Sequence, residues 1–257
     1  FRVVFSGPVG SSSFTASDIV QNGSAEGVTW SLSTSDNITW TVSATAVTIP
    51  GTVVPYISPN TVLDEFGNKN AASTSTDSSV IYDITAPVLT FSSVSPSNPA
   101  STRTPTVLGS ASETSTVTLY YDSSCSSAKS APAANTVFAS PGIALTGNVN
   151  ADVTTTIYGR AVDVAGNVSI CTNLVDYHHD GTSPTVTNIS STIADGPYKA
   201  GQLIPIQVTF SEPVFVTGAL RLTLETGVSD ALVAYTSGSG NNTLTFNYTV
   251  AAGNTSP

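Results

Sequence analysis

The amino-acid sequence predicts an all-β protein, and three observations support this fold class. Apolar residues alternate with Ser and Thr over short segments, which is the period of a strand with one buried face. Turn-forming residues separate these segments. Only 9% of the 257 residues are charged, so the chain lacks the Lys, Glu and Arg that normally cover helices. Short strands at this spacing favour β-sandwich domains.

The alternating segments place predicted strands along the whole chain. Their apolar positions are Trp30, Leu32, Ile38, Trp40 and Val42, then Val107, Val117, Leu119 and Tyr121, then Leu220, Leu222, Leu224, Leu244, Phe246, Tyr248 and Val250. The intervening positions are mostly Thr, a β-branched residue that suits a solvent-facing strand position. Turn pairs such as Asn22-Gly23 and Pro141-Gly142 punctuate these segments. No segment has a convincing helical period.

Three sequence echoes divide the chain into tandem modules. Val3–Val9 reappears as Val208–Val214, Asp64–Asn68 as Asp163–Asn167, and Asp83–Pro87 as Asp180–Pro184. The Asp-x-Thr-small-Pro echoes predict stiff linkers, because proline fixes its own φ and holds the preceding residue extended. We therefore predict three domains, called module 1 (1–83), module 2 (84–180) and module 3 (181–257).

The echoes also indicate that the end modules differ from module 2. Module 1 is expected to lack its first strand and module 3 its last strands. One interpretation is that the chain is a window on a longer array or has disordered ends. The other is that neighbouring subunits complete the open edges by strand addition.

The repeated motifs resemble those of a known family. Asp83–Pro87, Asp163–Asn167 and Phe210–Val214 are similar to segments of bacterial immunoglobulin-like (Big) domains, which occur in large adhesins and other bacterial surface proteins. The resemblance covers all three modules and implies tandem immunoglobulin-like β-sandwich domains in an elongated array at the cell surface or outside the cell. Module 1 departs from the pattern, with Gly7 in place of Glu212 and Phe66 where Ala is usual.

Composition excludes some functions and suggests a compartment. A net charge of −10 with seven basic residues argues against nucleic-acid binding, and no apolar run approaches a membrane span. Cys125 and Cys171 both lie in module 2, and an even count in a low-charge, extracellular-type chain predicts a disulfide. Two buried free thiols are the alternative. A zinc site is disfavoured because the cysteines lack partners at ligand spacing.

The sequence offers no convincing catalytic set, so we predict that the protein is not an enzyme. His178-His179-Asp180 is the only histidine cluster. Adjacent strand residues point to opposite faces, so the two imidazoles are not expected to share a metal, and no nucleophile elbow accompanies them. The cluster is expected to be an exposed strand end beside a linker.

Calcium is the one cofactor that the sequence suggests. Asp64 is expected to pair with Asp83, and Asp163 with Asp180, if each turn meets the linker that follows it. Carboxylates and carbonyls are the ligands that calcium prefers. The alternative is that each Asp only stabilises its own turn by bonding to the backbone.

Three functions remain compatible with the sequence. The first is a structural or adhesive segment of a bacterial surface or secreted protein, acting as a stiff spacer between neighbouring immunoglobulin-like domains. The second is a subunit of an extracellular filament or fibre, including a phage fibre, assembled through the incomplete end modules. The third is a module that binds a glycan, a protein or a cell-surface receptor, for which Tyr120, Tyr121 and Tyr198 are candidate exposed aromatic residues.

Overall fold

The computed structural model describes residues 1–73 and 75–255, and in these ranges it is almost entirely β-structure, which confirms the all-β prediction. Module 1 contains β1 (Arg2–Val4), a 3₁₀ helix (Ala16–Asp18), β2 (Ile19–Gln21), β3 (Thr29–Thr34), β4 (Thr39–Ala46), β5 (Gly51–Val53), β6 (Pro55–Ile57) and β7 (Val80–Tyr82). Module 2 contains β8 (Leu89–Ser95), β9 (Thr106–Ala111), β10 (Ser115–Tyr120), β11 (Ala133–Ala134), α1 (Asn135–Ala139), β12 (Ile143–Ala144), β13 (Thr154–Asp163) and β14 (Thr172–His178). Module 3 contains β15 (Val186–Ser191), β16 (Leu203–Val214), β17 (Arg221–Leu224), β18 (Ala231–Ser237) and β19 (Asn241–Thr249).

Module 1 is built around a three-stranded sheet in the order β1-β4-β3, with β2 paired to β6 and β5 paired to β7. Strand β4 shows how the alternating sequence produces this arrangement. Trp40 and Val42 are buried, whereas Thr41 between them is exposed. The buried side chains pack with Phe14 and Val62 in the core of the module.

Module 2 is a sandwich of two antiparallel sheets, ordered β12-β9-β8 and β11-β10-β13-β14. Its core includes Val107 from the first sheet, Leu119 and Tyr177 from the second, and Phe138 from α1 between strands. Along β13 the inward positions alternate strictly with outward ones, and the last inward position is Asp163. This alternation places the carboxylate of Asp163 at the end of the apolar core.

Module 3 contains a single five-stranded sheet in the order β15-β16-β19-β18-β17. Direct partners in the ladder share a face, and the pairs Ile206–Phe246 and Val208–Leu244 place apolar side chains together. Val208, Leu244 and Phe246 are buried, with Val233 from β18 beside them. This sheet therefore has one strongly apolar face.

The chain divides into two compact units, Phe1–Asp180 and Gly181–Pro257. Every strand pair lies within one of the three predicted modules. The division of the first unit into modules 1 and 2, the immunoglobulin-like assignment and the missing end strands stay predictions.

Candidate functional site

Cys125 and Cys171 form a disulfide with a Cα–Cα distance of 5.8 Å. The loop that carries Cys125 is held by Asp122, whose carboxylate accepts hydrogen bonds from the backbone amides of Ser126 and Ser127. The hydroxyl of Ser124 also donates to this carboxylate, and these bonds hold the pKa of Asp122 well below its usual value. The bridge thus joins an internally braced loop to the residue that precedes β14.

An acidic trio lies at one end of module 2. Carboxylate oxygens of Asp83, Glu113 and Asp163 lie within 4.8 Å of one another. Asp83 follows β7, Glu113 lies in the turn between β9 and β10, and Asp163 ends β13. The linker before the module and two of its own turns therefore converge on one point.

Asn167 ties the turn after β13 to the linker between modules 1 and 2. Its Nδ2 donates to Asp163 Oδ2 at 2.8 Å and to the backbone oxygen of Asp83 at 3.1 Å. A second attachment lies five residues on, where Val88 and Ser112 exchange hydrogen bonds of 2.9 Å. The linker is consequently bound by module 2 at two places.

The predicted pairing of Asp163 with Asp180 is wrong. Thr154, at the start of β13, pairs with His178, and Asp163 is at the other end of this ten-residue strand. A strand rises about 3.3 Å per residue, so roughly 30 Å separates the two aspartates. Because β14 carries the chain back across the module, the linker that meets the Asp163 turn is the preceding one.

The predicted pairing of Asp64 with Asp83 stays a prediction, and Asp83 itself belongs to the trio. Asp64 is in no group of three acidic or metal-ligating side chains among the described residues. Its carboxylate accepts hydrogen bonds from the backbone amides of Phe66 and Asn68. These bonds, with the side-chain amide of Asn68 contributing most, lower the pKa of Asp64, as expected for an aspartate that stabilises its own turn.

Sequence reasoning missed Glu113, although a signal existed. The dipeptide Ser112-Glu113 matches Ser211-Glu212 in module 3. Ser211 exchanges hydrogen bonds with Thr185 just as Ser112 does with Val88. This repeated Ser-Glu pair marks the place where a module holds the linker that precedes it.

The trio is electrostatically unequal. Desolvation and then the charges of Asp83 and Asp163 raise the pKa of Glu113 above its ordinary 4.5. Burial raises the pKa of Asp163, but hydrogen bonds from Asn167 and the turn amides outweigh it and leave that pKa lowered. The ionised form is therefore disfavoured at Glu113 and favoured at Asp163.

We expect Glu113→Gln to raise the melting temperature at pH 7. A carboxyl whose pKa is higher in the folded state stabilises the fold when protonated, and this contribution is lost as the pH rises through the folded-state pKa. The gain should therefore shrink below pH 4.5, when Glu113 is protonated in the wild type. Thermal unfolding followed by circular dichroism at pH 7 and below pH 4 measures it. Glu65→Gln, in an exposed turn of module 1, is the control, and an equal gain from it would contradict the account.

The trio takes the place of the Asp163–Asp180 pair in the calcium expectation, which stays a prediction. Calcium takes six to eight oxygen ligands, and three carboxylates offer part of such a set. Its test is the melting temperature with millimolar calcium and with a chelator, in the wild type and in Glu113→Gln. A wild-type melting temperature that neither addition moves would remove calcium from the account.

The two histidines point to opposite faces of β14 and its extension. His178 is exposed and its Nδ1 meets Thr154 Oγ1 at 3.2 Å. His179 is only 5% exposed, which corrects the expectation of an exposed strand end. Its Nδ1 accepts from the backbone amide of Asp152 at 3.0 Å, and its Nε2 donates to the backbone oxygen of Ser101 at 3.1 Å. Both ring nitrogens of His179 are therefore engaged in hydrogen bonds with backbone groups.

The candidate ligand-binding tyrosines are not free aromatic surfaces. Tyr120 is 7% exposed. Tyr121 is partly buried and its hydroxyl donates to the backbone oxygen of Gly147. Tyr198 is partly buried and its hydroxyl donates to the backbone oxygen of Ala194. A receptor-binding role for these rings stays a prediction.

Comparisons with family models, curated proteins and solved structures return no match for this chain. Within residues 1–73 and 75–255, no helix has the length and apolar character needed to cross a bilayer. That finding and the disulfide are compatible with a secreted protein.

Proposed function

We propose that this chain is a segment of a tandem array of immunoglobulin-like modules that acts as a stiff, non-enzymatic spacer at a bacterial surface or in a secreted protein. The observation that carries the proposal is the junction between modules 1 and 2. There the Asn167 side chain bonds to the linker at Asp83, and Ser112 bonds to it at Val88. A flexible Gly/Ser tether has no such attachments.

Local bonds within the linker add to its order. The backbone amide of Thr85 donates to Asp83 Oδ1 at 2.9 Å. Pro87 then fixes its own φ and restricts Ala86 to extended geometry. A linker with its own turn, a proline and two attachments to the next module transmits orientation from module 1 to module 2.

Surface display tests this function. The chain is inserted between a membrane anchor and an epitope on bacterial cells, and it is compared with a Gly/Ser linker of equal length. A stiff spacer holds the epitope farther out, so we expect stronger labelling by a bulky antibody than with the flexible linker. Equal labelling would contradict the proposal. Asn167→Ala should give intermediate labelling, and Asn70→Ala, which removes side-chain bonds to Val62 and Ser58 inside module 1, serves as its control.

A fibre subunit is the second candidate, and the sheet of module 3 favours it. All five strands of the described part of this module belong to one sheet, whose apolar face includes partly buried Ile206, Phe210 and Tyr235. An apolar sheet face is stabilised when another layer covers it. A molar mass that rises with concentration in light scattering would support assembly, whereas a constant monomer mass would reject it.

A further inference from the structure

In module 2, the segment that follows β8 runs beside the end of β14 in the same direction. Ala100 and His179 form a parallel bridge. The backbone amide of Ala100 donates to the oxygen of His178 at 3.3 Å, and the amide of Asp180 donates to the oxygen of Ala100 at 3.0 Å. We call this pairing of residues 98–102 with residues 176–180 the clamp.

The side chain of Asn98 extends the clamp by one step. Its Nδ2 donates to the backbone oxygen of Asp176 at 2.8 Å, and its Oδ1 accepts from the backbone amide of His178 at 2.7 Å. Pro99 beside it has no N–H to offer. The Asn98 carboxamide therefore donates one hydrogen bond and accepts one, as a peptide group within a strand does.

Two buried rings complete the clamp. The hydroxyl of Tyr177 donates to the backbone oxygen of Thr102 at 2.7 Å, and the ring of Tyr177 is fully buried. His179 Nε2 donates to the backbone oxygen of Ser101 at 3.1 Å. Six hydrogen bonds thus join the two segments, and the two ring side chains among their donors, Tyr177 and His179, are buried.

The position of the clamp decides how it is loaded by tension. Residues 98–102 are continuous with the linker before the module through β8, and residues 176–180 lead into the linker after it. These two linkers leave from opposite ends of the sandwich, at Asp83 beside Asp163 and at Asp180. Tension on the linkers therefore pulls the two parallel segments past each other along their length.

Shear along paired strands loads all their hydrogen bonds together, because these bonds lie across the strand axis. Peeling, in contrast, would break them one at a time. The antiparallel pairing of β8 with β9 is loaded in the same way, since β8 is pulled along its own axis. Six bonds that must fail together resist force better than six that fail in sequence.

We propose that module 2 is a force-bearing element, in which the clamp is loaded in shear together with the β8–β9 pairing and the disulfide limits extension once the clamp has opened. If the clamp opens, the disulfide between Cys125 and Cys171 still prevents the chain between them from extending. Their sequence separation of 46 residues corresponds to about 160 Å of extended chain. This inference rests on the proposed spacer function for its biological meaning, but the mechanical property itself is tested separately.

The test is single-molecule stretching of the full chain held at its two termini. The module 2 event is identified because reduction of the disulfide lengthens it by about 160 Å. Asn98→Ala removes two of the six clamp bonds, so we expect the most probable unfolding force of this event to fall clearly below that of the wild type. Tyr177→Phe, which keeps the ring and loses one bond, should lower the force by a smaller amount.

Ser130→Ala is the matched control. Ser130 is buried in module 2, and its hydroxyl accepts from the backbone amide of Leu119 at 3.0 Å, away from the clamp. Urea denaturation gives the thermodynamic loss for each variant. The proposal predicts a lower force for Asn98→Ala than for Ser130→Ala at comparable thermodynamic loss. It is overturned if Ser130→Ala lowers the force as much, or if neither clamp variant lowers it. A failure of the spacer function would instead appear in the display experiment, which involves no applied force.

Discussion

Reduction of the Cys125–Cys171 disulfide is expected to lower the free energy of unfolding of module 2 by about 4 kcal/mol. The bridge closes a sequence separation of 46 residues, and in the chain-entropy model a loop of this length restricts the unfolded chain by that amount. The loss should be confined to module 2, because both half-cystines and the loop between them lie there.

The distribution of tryptophan provides the readout for this prediction. The chain has two tryptophans, Trp30 and Trp40, and both lie in module 1. In urea denaturation, tryptophan fluorescence therefore follows module 1, whereas far-ultraviolet circular dichroism follows the whole chain. We expect reduction to move the dichroism transition to lower urea and leave the fluorescence transition in place. The double variant Cys125→Ser, Cys171→Ser should reproduce the shift without reductant. Equal movement of both transitions would contradict this account.

Phe138→Ala is expected to destabilise module 2 by about 3–5 kcal/mol. Phe138 lies on α1, is fully buried and belongs to the core that contains Leu119 and Tyr177. A Cβ at Gly109 would collide with this ring, so the ring packs directly against strand backbone. Removing it leaves a cavity whose wall includes backbone, which cannot collapse inward as freely as side chains.

The neighbouring residue gives the control for this second prediction. Val137 lies on the same short helix but is 38% exposed, so Val137→Ala should change stability by about 0.5 kcal/mol or less. Urea denaturation followed by circular dichroism compares the two variants. A loss below about 1 kcal/mol for Phe138→Ala would mean that the core of module 2 does not depend on α1.

The strands were predictable because their signal is local. In β4 and β19 the alternation of apolar residues with Thr, Ser or Asn is complete within each segment, so no distant information is needed. Helix α1 has five residues, which is too short to display a helical period. Its buried side chain is specified by the surrounding sheets.

The site was only partly predictable because its contacts are between distant segments. The turn at Asp163 and its bonding to Asn167 follow from the local motif. Which linker meets the Asp163 turn does not follow from a local motif. The seven residues of β14 between this turn and Asp180 nevertheless imply that the turn and Asp180 lie at opposite ends of a sandwich. The side chain of Asn98 acts on residues about 80 positions away, which no local pattern reveals.

The alignment of modules 1 and 2 in solution tests the central claim, a stiff junction, most directly. Residual dipolar couplings are measured for the backbone amides of the full chain in a weakly aligning medium. We expect one alignment tensor to describe residues 1–83 and 84–180 together in the wild type, and Asn167→Ala to make the two tensors differ. Two different tensors in the wild-type protein would show a flexible junction and contradict the spacer.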